Sequence, residues 1–122
     1  ERVLSVVRTG PHPVDVAVDE RRSRVYVADD GNSTVTTLDA RRGRILNQVA
    51  VDAGPVRLAV DAPRDLVYVA AQQAGVVTVL DANAGAVRAS VTVGDGPDDL
   101  AVDGATGRVF VTNNQSNTVS VL

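Results

Sequence analysis

A period of 42 residues runs through the whole sequence without an insertion or a deletion. Pro13, Pro55 and Pro97 share one column of this repeat, and the tripeptide Ala-Val-Asp follows each of them after three residues. Self-similarity at a fixed period of about 20 to 50 residues indicates an array of supersecondary units, and it outweighs local propensity. The chain is therefore predicted to consist of copies of one small unit.

Each unit has the pattern of short strands. Runs rich in Val, Leu, Tyr and Thr alternate with clusters of Gly, Asp, Asn and Pro, which is the signature of strands and turns. In the middle unit the predicted strands are 56–60, 66–71, 76–80 and 86–93. Both faces of these strands are largely apolar, so both faces of the sheet are expected to be covered. Four-stranded antiparallel sheets of this kind, repeated about every 40 residues, are typical of the blades of an all-β propeller.

The repeat divides the chain into units with a displaced start. We assign the whole chain, 1–122, to one β-propeller repeat module with units at about 10–51, 52–93 and 94–122. Residues 2–9 align with the last strand of the first two units, so they are predicted to be an orphan outer strand. The third unit lacks that strand. The sequence thus predicts three blades, one of them incomplete.

Three blades are fewer than a closed ring contains, since propellers have roughly four to eight. Their outer faces would leave apolar surface and unpaired strand edges in water, which is rare on a soluble monomer. A two-fold homodimer that closes a six-bladed ring is the expected solution. In it, residues 2–9 of each chain complete the last blade of the other. A nine-bladed trimer, a fragment of a longer propeller, and an engineered part of one are the alternatives.

The composition disfavours several functional classes. The net charge is −3, all twelve cations are arginine, and only three residues are aromatic, so no nucleic acid partner is expected. Cysteine is absent, which removes disulfides and thiol chemistry. No apolar run is long enough to span a membrane, and the sequence shows no signal peptide. No cofactor fingerprint and no catalytic motif is found.

Candidate ligand or partner contacts lie in the loops predicted to open at one mouth of the channel. These loops are 10–15, 52–57 and 94–99, together with 29–34, 71–76 and 113–118. Sequence varies most there, and the candidate residues are His12, Asp15, Arg57, Asp98 and Asp99. Adjacent carboxylates suit a hard cation, but Asp98 and Asp99 should point to opposite faces of a strand. No metal site is therefore assigned.

Two further sets of charged residues belong to the opposite end of the blades. A candidate basic rim, suited to carboxylate or phosphate, consists of Arg21, Arg22, Arg24, Arg41, Arg42 and Arg44. Asp19, Asp61 and Asp103 recur once per unit, so they are interpreted as turn residues that each bind their own backbone two residues on.

The motif Val109-Phe110-Val111-Thr112-Asn113, followed by Ser116-Asn117-Thr118-Val119-Ser120-Val121, resembles the YVTN-type β-propeller repeat. The NHL repeat is the close alternative. The resemblance implies a propeller, and it suggests an extracytoplasmic or cell-surface location. Fold alone does not fix activity.

We therefore predict a non-catalytic scaffold or binding module that self-assembles into a ring, with itself as partner and no cofactor. It takes a protein or small-molecule ligand at the channel mouth. The alternative is a hydrolase or lyase with a carboxylate or divalent-cation site at that mouth.

Overall fold

A computed structural model describes residues 1–122 and contains eleven strands in three antiparallel sheets. Blade 1 consists of β1 (Pro13–Asp19), β2 (Arg24–Asp29), β3 (Thr34–Asp39) and β4 (Ile45–Ala50). Blade 2 consists of β5 (Pro55–Asp61), β6 (Leu66–Ala71), β7 (Val76–Asp81) and β8 (Val87–Thr92), with a 3₁₀ turn at Ala62–Arg64. Blade 3 consists of β9 (Pro97–Val102), β10 (Val109–Asn113) and β11 (Thr118–Val121). The all-β propeller prediction and the four strands of the middle unit are confirmed.

Each blade is a meander in which every strand pairs with the next one along the chain. The inner strands β1, β5 and β9 lie side by side, so the blades fan out from a common axis. Each inner strand has a register shift at its second residue, which is Val14, Val56 or Asp98. Bulges of this kind re-aim side chains at the rim of a sheet. They lie at the mouth end, where sequence variation is greatest.

Two apolar cores fill the spaces between adjacent blades. The core between blades 1 and 2 consists of Tyr26, Ala28, Val35, Leu58, Val67, Val69, Leu80 and Ala82. The core between blades 2 and 3 consists of Tyr68, Ala70, Val77, Val79, Leu100, Val109 and Val111. Blade 2 contributes to both cores with opposite faces of its sheet. This confirms that the strands are apolar on both faces because both faces are buried.

The N-terminal segment, residues 1–12, is not part of any strand within the chain. Val3, Leu4 and Val6 are among its exposed residues. The outer strand predicted at 2–9 would pair with another blade, and that pairing is still a prediction.

Candidate functional site

One column of mouth residues links adjacent blades. The Asp15 carboxylate of blade 1 accepts a hydrogen bond of 2.7 Å from the backbone N–H of Leu58 in blade 2. At the next junction, Nε of Arg57 lies 4.0 Å from Oδ1 of Asp99 in blade 3. Both groups of that pair are about half exposed or more, so the pair contributes little to stability. These three predicted site residues connect blades instead of converging on one ligand.

His12 lies at the mouth of blade 1 beside two acidic residues. Its backbone N–H donates to Oδ2 of Asp29 at 3.0 Å, and its Nδ1 contacts Oδ1 of Asp30. Asp29 is fully buried and also accepts from the backbone N–H groups of Gly31 and Asn32, so it organises the β2–β3 turn. The His12 side chain is 67% exposed. His12 is therefore held through its backbone and through the contact of its ring with Asp30, while most of the ring faces solvent.

Asp98 occupies the bulge of β9, and its carboxylate has two partners within blade 3. Its carboxylate accepts from Oγ1 of Thr112 at 2.7 Å and from Nδ2 of Asn114 at 3.2 Å. Asp99 instead lies toward Arg57 on the blade 2 side. The two adjacent carboxylates thus have separate partners, although the bulge at Asp98 interrupts the alternation of faces and Thr112 is the cross-strand neighbour of Asp99.

A cavity of about 450 Å³, here called the mouth pocket, is formed by loops from all three blades. Its lining residues are Asp30, Gly54, Val56, Gln72, Gln73 and Gln115. Three of the four glutamines of the chain are in this set. A carboxamide both donates and accepts hydrogen bonds, so these side chains suit a polar ligand or a peptide backbone.

The residues of the mouth pocket were not predicted from the sequence, although their loops were predicted to lie at the mouth. The signal that could have found them is the occurrence of Gln72, Gln73 and Gln115 at loop positions of adjacent repeats. None of the five predicted mouth residues lines this pocket.

The opposite end of blade 1 holds most of the basic rim. Arg21, Arg22, Arg24, Arg41 and Arg42 line one cavity together with Ser23, Asp39 and Leu46. We call this cavity the arginine pocket. Arg44 is not among its lining residues. The structure therefore brings together five of the six predicted rim arginines.

Arg22 also has a structural role that recurs in blade 2. Its Nη1 donates to Oδ2 of the buried Asp19 at 2.7 Å, and the guanidinium reaches blade 2 through an ion pair with Asp65. Nε of Arg22 donates to Oδ1 of Asn83 at 2.8 Å. This clamp fastens the turn of blade 1 to blade 2.

Arg64 repeats the clamp at the junction of blades 2 and 3. Its Nη1 lies 3.3 Å from Oδ2 of the buried Asp61, and it donates to the carbonyl of Gly104 at 3.0 Å. Of these three aspartates, only Asp103 binds the backbone two residues on, through the N–H of Ala105. Asp19 is a turn residue that accepts from the N–H of Arg22, three residues on. The two-residue bond predicted for Asp19 and Asp61 is not formed, and each of these buried carboxylates pairs with an arginine side chain.

The Asn113 column of the repeat is buried in all three blades but differs in chemistry. Asn113 donates through Nδ2 to Oγ of Ser120 at 2.9 Å, whereas its equivalent Asp29 binds backbone N–H groups. The third equivalent, Ala71, has no polar side chain. The column therefore supports the turn and is not a shared ligand site.

Burial and local hydrogen bonds account for the shifted pKa values. Burial, together with nearby Asp19, raises the pKa of Tyr26, and burial with Asp61 nearby raises the pKa of Tyr68. Backbone N–H groups lower the pKa of Asp39 and of Asp81. All four groups lie outside the mouth pocket.

No three His, Asp or Glu side chains are grouped so that they could hold a metal ion. No helix has the length and apolar character needed to cross a membrane.

Similar folds occur in much longer proteins. Hydrazine synthase of Kuenenia stuttgartiensis is 23% identical over 93% of this chain and 33% of its own, with a TM-score of 0.80. A 6-phosphogluconolactonase-like protein of Bacteroides uniformis is 11% identical over 98% of this chain and 38% of its own, with a TM-score of 0.84. The WD40 β-propeller domain of Doa1 is 12% identical over 89% and 36%, with a TM-score of 0.76.

The chain spans about a third of the length of these structures. No protein-family model matches the sequence, and no curated protein sequence matches it. The similar structures include enzymes and a WD40 domain, so they specify no activity. They do establish the fold: the chain consists of three blades of a β-propeller.

Proposed function

We propose that the chain is a non-catalytic propeller scaffold that completes its ring with a second copy of itself and binds a protein or small molecule at the mouth. Six blades would form the ring. The observation that supports the proposal is the course of the N-terminal segment, which runs beside blade 1 where an outer strand of an adjacent blade would lie.

That placement follows from a comparison with β4. In the packing of blade 1 on blade 2, Nδ2 of Asn47 donates to the carbonyl of Gly85 at 2.7 Å. Ser5 and Gly43 are the equivalents of Asn47 and Gly85, 42 residues earlier in the sequence. Ser5 lies beside Gly43, since a Cβ added to Gly43 would be 3.7 Å from the Ser5 Oγ. Nε2 of Gln48 then fixes the end of the segment by donating to the carbonyl of Thr9 at 2.6 Å. Ser5, Val7 and Thr9 therefore lie beside blade 1 in the position that β4 takes beside blade 2.

The two open faces of the chain correspond to the two sides of its internal blade junctions. On blade 1, Val16 and Val18 are 61% and 57% exposed, while their equivalents Leu58 and Val60 pack into the core between blades 1 and 2. Apolar surface of this kind is stabilised by burial. A further blade 3 packed on blade 1 would cover it.

On blade 3, the exposed apolar residues are Phe110, Val119 and Val121. Their equivalents in blade 2 are Tyr68, Val77 and Val79, which are buried in the core between blades 2 and 3. A copy of blade 1 packed on blade 3 would repeat an interface that the chain already forms twice. A second copy of the chain supplies both missing surfaces at once.

The repeat also predicts the register of the exchanged strand. In blade 1 Val35 is paired with Val49, and in blade 2 Val77 is paired with Val91. The equivalent pair in the ring is Val119 with Val7 of the partner subunit. This pairing would give blade 3 its fourth strand.

Multi-angle light scattering on the full chain and a cysteine cross-link test the proposal. We expect twice the 12.7 kDa mass of one chain. Because the sequence has no cysteine, the double variant Val7→Cys/Val119→Cys should form a disulfide only between chains. Val3→Cys/Val119→Cys is the out-of-register control and should cross-link poorly.

A stable monomer, or equal cross-linking of both variants, would contradict ring closure by a second copy. A monomer is also the result expected if the missing blades come from a longer chain. Three times the mass of one chain would indicate the nine-bladed trimer instead.

The binding role is proposed for the mouth pocket, which three blades enclose and carboxamides line. The rival hydrolase or lyase has less support, since Asp15, Asp98 and Asp99 each interact with protein groups. The YVTN-type assignment and an extracytoplasmic location are proposals that rest on the sequence motif.

A further inference from the structure

The arginine pocket lies at the end of blade 1 opposite the mouth. The β1–β2 and β3–β4 turns enclose about 420 Å³, which is within the range of small-molecule sites. Leu46 is its one apolar lining residue, and Asp39 is its one carboxylate. Because all lining residues belong to blade 1, the pocket does not depend on how the ring is closed.

The guanidinium groups around this pocket differ in how they are paired. Arg22 is 13% exposed and fixed by the clamp to Asp19 and Asp65. Arg42 lies 3.8 Å from Oδ2 of Asp39. Three further groups make no side-chain hydrogen bond and no ion pair within the chain: Arg21, Arg24 and Arg41. Positive charge therefore exceeds negative charge in the pocket, and like charges near each other favour an added anion.

Comparison with blade 2 distinguishes the arginine that has a structural role from the other arginines of the pocket. Arg22 has an equivalent in Arg64, and both make the inter-blade clamp. The other pocket arginines correspond in blade 2 to neutral residues, which are Pro63, Leu66, Asn83 and Ala84. Blade 2 folds without those charges, so the fold does not require them in blade 1.

We propose that the arginine pocket binds the phosphate groups of a small ligand that carries at least two of them. Guanidinium groups bind phosphate oxygens through paired, charge-assisted hydrogen bonds, and several forks around one cavity match several phosphates. Arg24 and Arg41 are free to turn toward the ligand, whereas the Arg22 guanidinium is held by protein groups and contributes mainly its charge to one wall. The same chemistry serves a soluble diphosphate and a phosphorylated lipid headgroup.

Calorimetric titration with inorganic pyrophosphate at constant ionic strength tests the proposal. We expect saturable binding that weakens about tenfold or more in Arg24→Gln/Arg41→Gln, because two charge-assisted contacts are lost. Neither side chain has a partner in the chain, so this variant should retain the thermal midpoint. Arg88→Gln is the control, since it removes one positive charge from blade 2 at the position equivalent to Leu46. It should leave the affinity unchanged.

A variant that removes negative charge from the pocket distinguishes binding in the pocket from general electrostatic attraction to the protein. Asp39→Asn removes the only carboxylate of the lining and should tighten pyrophosphate binding. No saturable binding to the full chain, an equal loss in Arg88→Gln, or no gain in Asp39→Asn would each overturn the proposal.

The source of the phosphate is resolved by vesicles of phosphatidylcholine containing phosphatidylinositol bisphosphate. Vesicle binding that pyrophosphate displaces and that Arg24→Gln/Arg41→Gln loses would identify a lipid headgroup. Pyrophosphate binding without vesicle binding would identify a soluble ligand. Vesicle binding that the double variant retains would contradict the pocket as its site.

Discussion

Strands β6 and β10 occupy the same place in two consecutive repeats, yet their environments differ. In β6, every residue after Leu66 is buried. In β10, buried residues alternate with exposed ones, and Phe110 and Thr112 face outward. The sequence pattern is shared, since Val109 and Val111 repeat Val67 and Val69. The difference lies in the neighbours, because blade 2 has a blade on each side and blade 3 has one.

The contrast shows that burial in this fold is a property of the junction between blades. Tyr68 and Phe110 are both aromatic and occupy one column of the repeat, but Phe110 is 40% exposed while Tyr68 is 9% exposed. A large aromatic side chain at an exposed strand position loses the stabilisation that its burial would give. The equivalence therefore makes Phe110 a reporter of whether another blade covers blade 3.

Truncation of these two aromatic residues should give the largest effects. We expect Tyr68→Ala to lower the free energy of unfolding by about 3–5 kcal/mol, because it leaves a cavity in the core between blades 2 and 3. Phe110→Ala should cost well under half as much in a single chain, since its side chain has only one packed side. Urea unfolding of both variants measures the difference.

The same pair also tests the proposed ring. If a second copy covers blade 3, the cost of Phe110→Ala should approach that of Tyr68→Ala and should depend on protein concentration. Equal costs without a concentration dependence would contradict the exposed position of Phe110 in the single chain.

The inter-blade clamps should give the next largest effect. Arg22→Ala leaves the buried carboxylate of Asp19 without a cation, and we expect a loss of about 3 kcal/mol. Arg64→Ala should cost less, because its side chain is 36% exposed and solvent screens the pair with Asp61. Arg108→Ala, an exposed arginine without a side-chain partner in blade 3, is the control. Thermal unfolding of the three variants measures these differences. An equal loss of stability in all three would contradict the role of the clamps.

The fold could be predicted from the sequence because the 42-residue period and the strand pattern are local signals. The arginine clamps could not, since sequence spacing places Arg22 three residues after Asp19 but does not show that Asp19 is buried or that Arg22 also reaches Asp65 of the next blade. The mouth pocket was missed for a similar reason. Gln72 and Gln115 are 43 residues apart, and only the packing of blades brings them to one cavity.

Substitution of two equivalent glycines in the mouth loops tests a further difference between blades 2 and 3, and the expected loss of stability is smaller. Gly54 and Gly96 occupy one column and have φ values of +76° and +64°, which favour glycine. A Cβ at Gly54 would lie 2.9 Å from the backbone nitrogen of Gln73, whereas a Cβ at Gly96 would meet only side-chain atoms of Asn114 and Gln115.

We expect Gly96→Ala to cost about 1 kcal/mol for the strained backbone and Gly54→Ala about 2 kcal/mol, because its backbone contact cannot move aside as a side chain can. Chemical unfolding of the two variants measures this order. A larger loss in Gly96→Ala would contradict it.

Substitution of the turn carboxylates Asp39 in blade 1 and Asp81 in blade 2 should have the smallest effect on stability, and the effect should be the same in both blades. Backbone N–H groups of Ala84 and Asn83 hold the pKa of Asp81 below its ordinary value of 3.8, and those of Arg41 and Arg42 do the same for Asp39. A lowered pKa in the folded state stabilises the fold at pH values above the ordinary pKa, and this contribution is lost as the pH falls through the folded pKa.

Asp81→Asn and Asp39→Asn should therefore each lower the thermal midpoint slightly at pH 7 and flatten its decline below about pH 4. Asn keeps a carbonyl oxygen that can accept the same N–H groups, so only the charge is lost. Melting curves between pH 7 and pH 3 measure the change. The hydrogen bonds in question lie within one turn and do not involve a neighbouring blade. The Asp81 turn has one additional contact, because Nε of Arg22 in blade 1 donates to Oδ1 of Asn83. A larger effect in Asp81→Asn than in Asp39→Asn would mean that this contact depends on the turn carboxylate, and equal effects would mean that it does not.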